Sequence, residues 1–239
     1  MRDRTIMGEP YSLLYLLQVA SSSFPTGSFS HSGGFETLIQ EGAIGDAESL
    51  ESAVQQWVRY GLARADGAAV ALAERVEVGG RDDPEAALAE LDESLTALKL
   101  ARESREASLK MGDAFLRAAG DAFGGERLAA YGEAVRAGLC VGHYATAFGV
   151  AAADAGVSVP QAVLAFLFGS YSNVVAVAAR LIPLGQLDTH RILARSRPHL
   201  VRCARVSLDT KLADLGAATV CLDLAAMRHE RLYSRLCIS

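Results

Sequence analysis

The chain has 239 residues, 51% of them hydrophobic and 21% charged, which supplies a sizeable core and excludes disorder over most of its length. A formal charge of −5 and a pI near 5.6 argue against a nucleic-acid binder or a binder of anionic membranes, since either needs a basic footprint. The four cysteines, Cys140, Cys203, Cys221 and Cys237, are far apart without a CxxC pair, as expected of reduced thiols in a cytoplasmic protein rather than of a zinc site or a disulfide framework.

Arg2 and Arg4 precede an apolar run at 13–20 that is too short for a secretion signal and is followed by no small-residue cleavage pattern. Residues 11–20 are apolar nearly all round and predict a short buried helix. A polar loop then spans 21–36, with six serines, one proline and three glycines. Phe24, Phe29 and Phe35 punctuate it and anchor it to the body, so it reads as a shaped surface for another molecule. A second helix starts near Ser32 or Gly33, with Glu36 in its first turn where a carboxylate suits the exposed N–H groups, and stops at Gly42. Asp46 caps a third, on which Leu50, Val54, Trp57, Val58 and Leu62 share a core-facing side.

Helical character continues over 68–78, breaks at Gly79-Gly80-Arg81-Asp82-Asp83, and restarts with Pro84 behind Asp83 in a long helix to about Met111. Its stripe of Leu88, Leu91, Leu95 and Leu98 continues onto Arg102 and Arg105, steering two guanidiniums to the packed side. Glu103 and Glu106 are read as badly spaced to pair with them, so carboxylates from another helix are expected, unless the stripe simply ends in solvent.

A helix over about 126–155 is expected to carry Gly138, Gly142, Ala145, Gly149 and Ala152 on one face. Helical glycine costs about 1 kcal/mol against alanine, so the strip predicts another backbone packed very close. His143, on a different face with Leu139, Thr146 and Val150, is a core or interface histidine. Residues 157–179 hold no charged side chain and have the length of a membrane span, but Gln161, Ser170, Tyr171, Ser172 and Asn173 suit the central helix of a globular bundle better than lipid. That helix breaks at Pro183-Leu184-Gly185-Gln186.

The next helix is interrupted at Arg197-Pro198. From His190 to Arg205 it is basic, through Arg191, Arg195, Arg197, His199 and Arg202, which is either a solvated face or a docking surface for an acidic partner. A last segment at 222–228 precedes a tail in which Tyr233, Arg235 and Leu236 suit protein recognition. No stretch alternates like a strand. The expected fold is all-α, a single-domain helical bundle over 1–239, with 1–9 and 230–239 as flexible or partner-ordered tails.

There is no G-x-x-x-x-G-K-[ST] loop, and Gly33-Gly34 lacks the lysine and the strand of a phosphate cradle. G-x-S-x-G is absent as well. A hydrolase using Ser30 and His31 is the competing reading, weakened because sequence neighbours seldom adopt nucleophile–base geometry and no third member is identifiable. The five histidines, His31, His143, His190, His199 and His229, include no i, i+4 pair, so neither a metal site within one chain nor a cofactor is expected. Spacing leaves open a transient site, or one across a two-fold axis.

Five stretches, in order, resemble the UreF-type urease accessory proteins. They are Ser23-Phe24-Pro25-Thr26-Gly27-Ser28-Phe29-Ser30-His31-Ser32 with Gly34-Phe35-Glu36; Ala101-Arg102-Glu103-Ser104-Arg105-Glu106-Ala107-Ser108 ending at Met111-Gly112; His143-Tyr144 with Ala147-Phe148-Gly149; Ala179-Arg180-Leu181-Ile182-Pro183-Leu184-Gly185-Gln186; and Met227-Arg228-His229-Glu230-Arg231-Leu232-Tyr233-Ser234-Arg235-Leu236. The resemblance implies an all-α cytoplasmic protein, usually a homodimer and without an active site. It would join a UreD-type (also called UreH) scaffold protein and the GTPase UreG on apo-urease, helping to load nickel into the urease active site. It further implies that Ser28, Ser30, His31, Gly33 and Glu36 face a partner or fix the loop, and that Tyr233, Ser234, Arg235 and Leu236 form a tail that docks the scaffold protein. Arg102 and Arg105 are implied to be architectural, and His143, Pro183 and Gly185 structural. Cys237, where the family more often has phenylalanine, leaves a smaller last anchor.

Overall fold

Leu50, Val54 and Val58 are closed off from solvent, and the helix that starts this stripe shows how the chain builds its core. The Asp46 carboxylate accepts from the Ser49 amide at 2.8 Å while the Ser49 hydroxyl accepts from the Asp46 amide at 3.2 Å, a reciprocal cap at the helix start. The computed structural model describes residues 8–76 and 83–237, the side chains of Gly8 and Glu9 apart. The expected polar break at 79–83 lies outside the described residues except for Asp83, as do the outermost parts of both tails.

Among the described residues there are eleven α-helices and no strand: α1 (Gly8–Val19), α2 (Phe35–Gln40), α3 (Ala47–Trp57), α4 (Asp66–Arg75), α5 (Pro84–Leu98), α6 (Arg102–Phe123), α7 (Glu126–Arg136), α8 (Tyr144–Asp154), α9 (Val159–Ala178), α10 (Gln186–Asp209) and α11 (Val220–His229). The bundle is all-α, as expected. One π turn, Val58–Leu62, extends α3, and Pro84 opens α5 with the Asp83 carboxylate accepting from the Glu85 and Ala86 amides. The uncharged α9 packs against α4, α8 and α10, with Val163, Leu167, Tyr171 and Val175 fully buried. Among the described residues it is the one helix long and apolar enough to cross a membrane, and it lies in the middle of the bundle.

Four expectations need correction. Helix α1 is not buried all round: Leu16 and Val19 face the body, while Tyr11, Leu13, Leu14 and Leu17 are each more than half exposed. A helix laid on one side of a bundle covers one stripe only, whatever its composition.

The long helix expected from Pro84 stops at Leu98, because Lys99 leaves helical geometry and its ammonium pairs with Asp66 at 2.7 Å. The leucine stripe therefore never reaches Arg102, whose side chain is 62% exposed and grips Glu230, next to the end of α11, at 2.9 and 3.2 Å. Glu106 is also within 4.0 Å of it, since four residues is a pairing distance on a helix. Arg105 donates to the Lys99 carbonyl at 2.9 Å, bracing the same break.

The helix expected over 126–155 is two, α7 and α8. Gly138 and Gly142, at φ of 75° and 91°, are turn residues between them. Asp92, fully buried on α5, fixes that turn: its Oδ2 accepts from the Val141 and Gly142 amides at 3.0 and 2.7 Å and from the Tyr131 hydroxyl at 2.8 Å, and its Oδ1 from Thr146 at 2.7 Å. Close backbone approach does occur at Gly149, where an added Cβ would sit 2.5 Å from the Val70 carbonyl oxygen. Finally, α10 runs through Pro198 unbroken. The proline faces solvent and forfeits one helical hydrogen bond, while Ile192, Leu200 and Cys203 hold the helix to the body on both sides of it.

Two outcomes follow from this packing. Gly149→Ala pushes α8 off α4 and should cost about 1–3 kcal/mol of stability, read as a fall in melting temperature. Asp92→Ala strands four buried donors and should cost about 3 kcal/mol or more in urea unfolding; a loss under about 1 kcal/mol would contradict its role.

Candidate functional site

The polar loop is anchored as its phenylalanines foretell, with one exception. Phe24 is buried against Phe115 at 5.5 Å between centroids, and Phe35 meets Trp57 at 5.8 Å. Phe29 instead is half exposed, with the Arg180 guanidinium 4.0 Å above its ring and donating to its carbonyl at 2.7 Å.

Ser28 accepts at its carbonyl from Asn173 of α9 at 2.8 Å, and the Ser30 hydroxyl donates to the Gly27 carbonyl at 2.9 Å, so both shape the loop from within. His31 closes this turn, its amide on the Ser28 carbonyl. Ser28, His31 and Gly33 line a cavity of about 220 Å³ whose wall also carries the Asp66–Lys99 pair and Asp223. Burial raises Asp223 above the ordinary carboxylate range, against the pull of Thr219 and Lys99. Gly34 lies against the backbone of α11, where a Cβ would meet Leu222 O and Ala226 N at 2.9 Å.

Glu36 stands where expected but plays a different part. It is in the first turn of α2 but, rather than serving exposed helical N–H groups, its side chain turns inward and is fully buried. Four donors fill the carboxylate: Leu236 N at 2.7 Å and Gln40 Nε2 at 3.2 Å on Oε1, Cys237 N and His229 Nε2 at 3.0 Å each on Oε2. Burial works to raise its pKa, but the Leu236 amide, the His229 ring and the Cys237 amide outweigh it and hold the carboxyl below its ordinary range.

Behind Glu36, His229 Nδ1 stands 2.8 Å from Glu103 Oε2, and Glu103 Oε1 takes Arg235 at 3.1 Å. Gln40 also donates to the Ser234 carbonyl at 3.0 Å. The tail as far as Cys237 thus lies on the body by its backbone, with Cys237 buried. The Tyr233 side chain is fully exposed and Leu236 is 73% exposed. The structure therefore brings Glu36 and the tail together, while the Ser28–His31 turn is held separately, by Asn173 and Arg180.

The remaining residues lie elsewhere. His143 is fully buried between Thr96 and Ser108, at 2.8 and 2.9 Å, and burial with nearby Lys99 pushes it down. Pro183 and Gly185 join α9 to α10, Gly185 accepting from Thr189 at 3.1 Å. Along the basic run, Arg191 pairs with Asp188 and Arg195 with Glu51, while Arg202 and Arg205 are exposed. No three His, Cys, Asp or Glu side chains form a metal-holding group among the described residues. Beyond their places in the family stretches, the sequence reading weighs His229 as a metal ligand and Glu103 as a local partner for Arg102 and Arg105, and does not bring the two together. The available signal for Asp92 was an acid on the apolar stripe between Leu88 and Leu95.

Because Glu36 is held below its ordinary pKa of 4.5, tail docking is favoured above that value and lost as the pH falls through the lower folded value. Amide exchange should show Leu236 and Cys237 protected at about pH 5 and released in stronger acid. Release already between about pH 7 and 5 would contradict the carboxylate's role.

The family model UreF matches residues 44–197, from just ahead of α3 into α10. Over almost the whole chain the sequence is similar to proteins named urease accessory protein UreF. That of Paenarthrobacter aurescens (strain TC1) is 38% identical over 227 residues, covering 95% of this chain and 97% of the relative. That of Bacillus sp. (strain TB-90) is 38% identical over 227 residues, covering 95% and 99%, and that of Haemophilus influenzae is 36% identical over 224 residues, covering 94% of each. A family match over more than half the chain, and relatives this similar over nearly all of it, mean that the chain belongs to the UreF family of urease accessory proteins.

Proposed function

We propose that this chain is a cytoplasmic, non-catalytic adaptor in urease maturation. It joins a UreD/UreH-type scaffold protein and a UreG-type GTPase on apo-urease so that nickel is inserted into the urease active site. The observation that carries this reading is the tail: its backbone is pinned through Glu36 and Gln40, and its Arg235 side chain by Glu103, while Tyr233 and Leu236 point outward. Exposed tyrosine on a fixed backbone is a good anchor, because little entropy remains to be lost when a partner buries it. The GTPase supplies the energy of the process, and the adaptor acts by binding one state of its partners better than another. The hydrolase alternative is disfavoured by the Ser30 hydroxyl, which is bonded to the Gly27 carbonyl.

A homodimer fits the exposed row Tyr11, Leu13, Leu14 and Leu17 on α1, since contiguous apolar surface favours an interface. Leu14→Asp combined with Leu17→Asp should then halve the gel-filtration mass, and an unchanged dimer would move the interface elsewhere.

Pull-down with UreD/UreH-type and UreG-type proteins should yield a complex, and its absence with both would contradict the adaptor. Arg235→Ala should weaken scaffold binding by about 2 kcal/mol, roughly 30-fold, whereas unchanged affinity would take the Arg235 side chain out of the interaction.

A further inference from the structure

The end of the front loop and the C-terminal tail lie two hundred residues apart in sequence and meet at one side chain, Glu36. A carboxylate offers about four acceptor positions, and here two are taken by consecutive tail amides. With the tail seated Glu36 is fully buried, so a departing tail exchanges two amide donors on the carboxylate for water and uncovers it. The tail is in this sense the missing half of a buried ionic site. His229 orients it: its two ring nitrogens stand 3.0 Å from Glu36 Oε2 and 2.8 Å from Glu103 Oε2. Glu103 carries the chain of contacts outward to Arg235 of the tail itself. The seated segment places its backbone inward and Tyr233 and Leu236 outward.

We propose that Glu36, with His229 and Glu103 behind it, is the receptor for the tail backbone, and that the tail must be seated there before Tyr233 and Leu236 can engage a protein partner. The inference rests on the adaptor reading for the partner's class and on geometry for the receptor. The three residues are positioning residues: Glu36 and Glu103 touch the tail, His229 holds the two carboxylates in place, and the tail touches the partner. Seating orders the segment in advance, which removes an entropy cost from association and speaks against a model in which the tail must leave the body to bind.

The test uses the full chain and a UreD/UreH-type scaffold protein. Glu36→Gln exchanges one accepting oxygen for an NH2 group that cannot accept. It should speed exchange of the Leu236 and Cys237 amides by about tenfold or more while the α3 and α9 amides keep their protection. Scaffold affinity should fall by about tenfold as well. A chain shortened to end at Leu232 should lose at least as much affinity, and adding Glu36→Gln to it should cost nothing further. Where Glu36→Gln fails to fold, Glu103→Gln, at the outer and partly exposed end, should shift both readouts in the same direction by less. The proposal is overturned by a variant that frees the tail amides yet binds the scaffold protein as tightly as the parent or more so, by tail amides that stay protected in Glu36→Gln, or by full affinity in the shortened chain. No complex with the parent chain would sink the adaptor reading instead, with tail exchange in Glu36→Gln still deciding whether the receptor exists.

Discussion

A carboxylate deprived of water has to collect its donors from the protein, and Glu36 collects half of them from a segment two hundred residues further along the chain. Hydrogen bonds to a charged acceptor contribute about 1.5–3 kcal/mol each, so the two amide contacts dominate the seating of a tail that has little apolar surface of its own to bury. Asp92 repeats the device in the body, taking two consecutive amides of the turn between α7 and α8 together with hydroxyls from both helices. In both places irregular backbone with no regular pairing partner is fastened by a buried acid, which satisfies N–H groups that would otherwise be orphaned.

This fastening joins surfaces that a linear reading keeps apart. The loop ends on Gly34, pressed to the backbone of α11; α11 ends on His229, which holds Glu36; and Glu36 holds the tail. Arg102 and Glu230 add an exposed clasp between α6 and the end of α11. An adaptor of the kind proposed above would gain from such cross-links, because a fixed presentation lowers the ordering cost of each encounter. The α1 row and the Phe29–Arg180 stack are further exposed features of the same body.

Elements with local causes were legible in the sequence. The Asp46 cap, the Asp83–Pro84 start and the Leu50–Val54–Val58 stripe are set by neighbours within a turn or two, and α9 is recognised by the absence of charge over its length. The breaks at 99–101 and 138–142 were missed because their causes are tertiary: Lys99 turns to Asp66 and Asp92 captures the 141–142 amides, while hydrophobic periodicity on either side continues as though nothing intervened. Glu36 was placed correctly on α2 but given a local reason, the helix N-terminus, when a distant one prevailed. His229 has no pattern at helical spacing, since its partners come from α2 and α6. The exposure of α1 was hidden by composition, which records what a helix could bury and not which side meets the body.

The tail and α2 form one unit through the Glu36 carboxylate. Residue-resolved amide exchange on the unmodified chain near neutral pH tests it most directly. Leu236 and Cys237 should open together with α2 and α11, at rates well below those of an exposed segment. Exchange of these two amides at the rate of a free peptide, with α2 and α11 still protected, would contradict it.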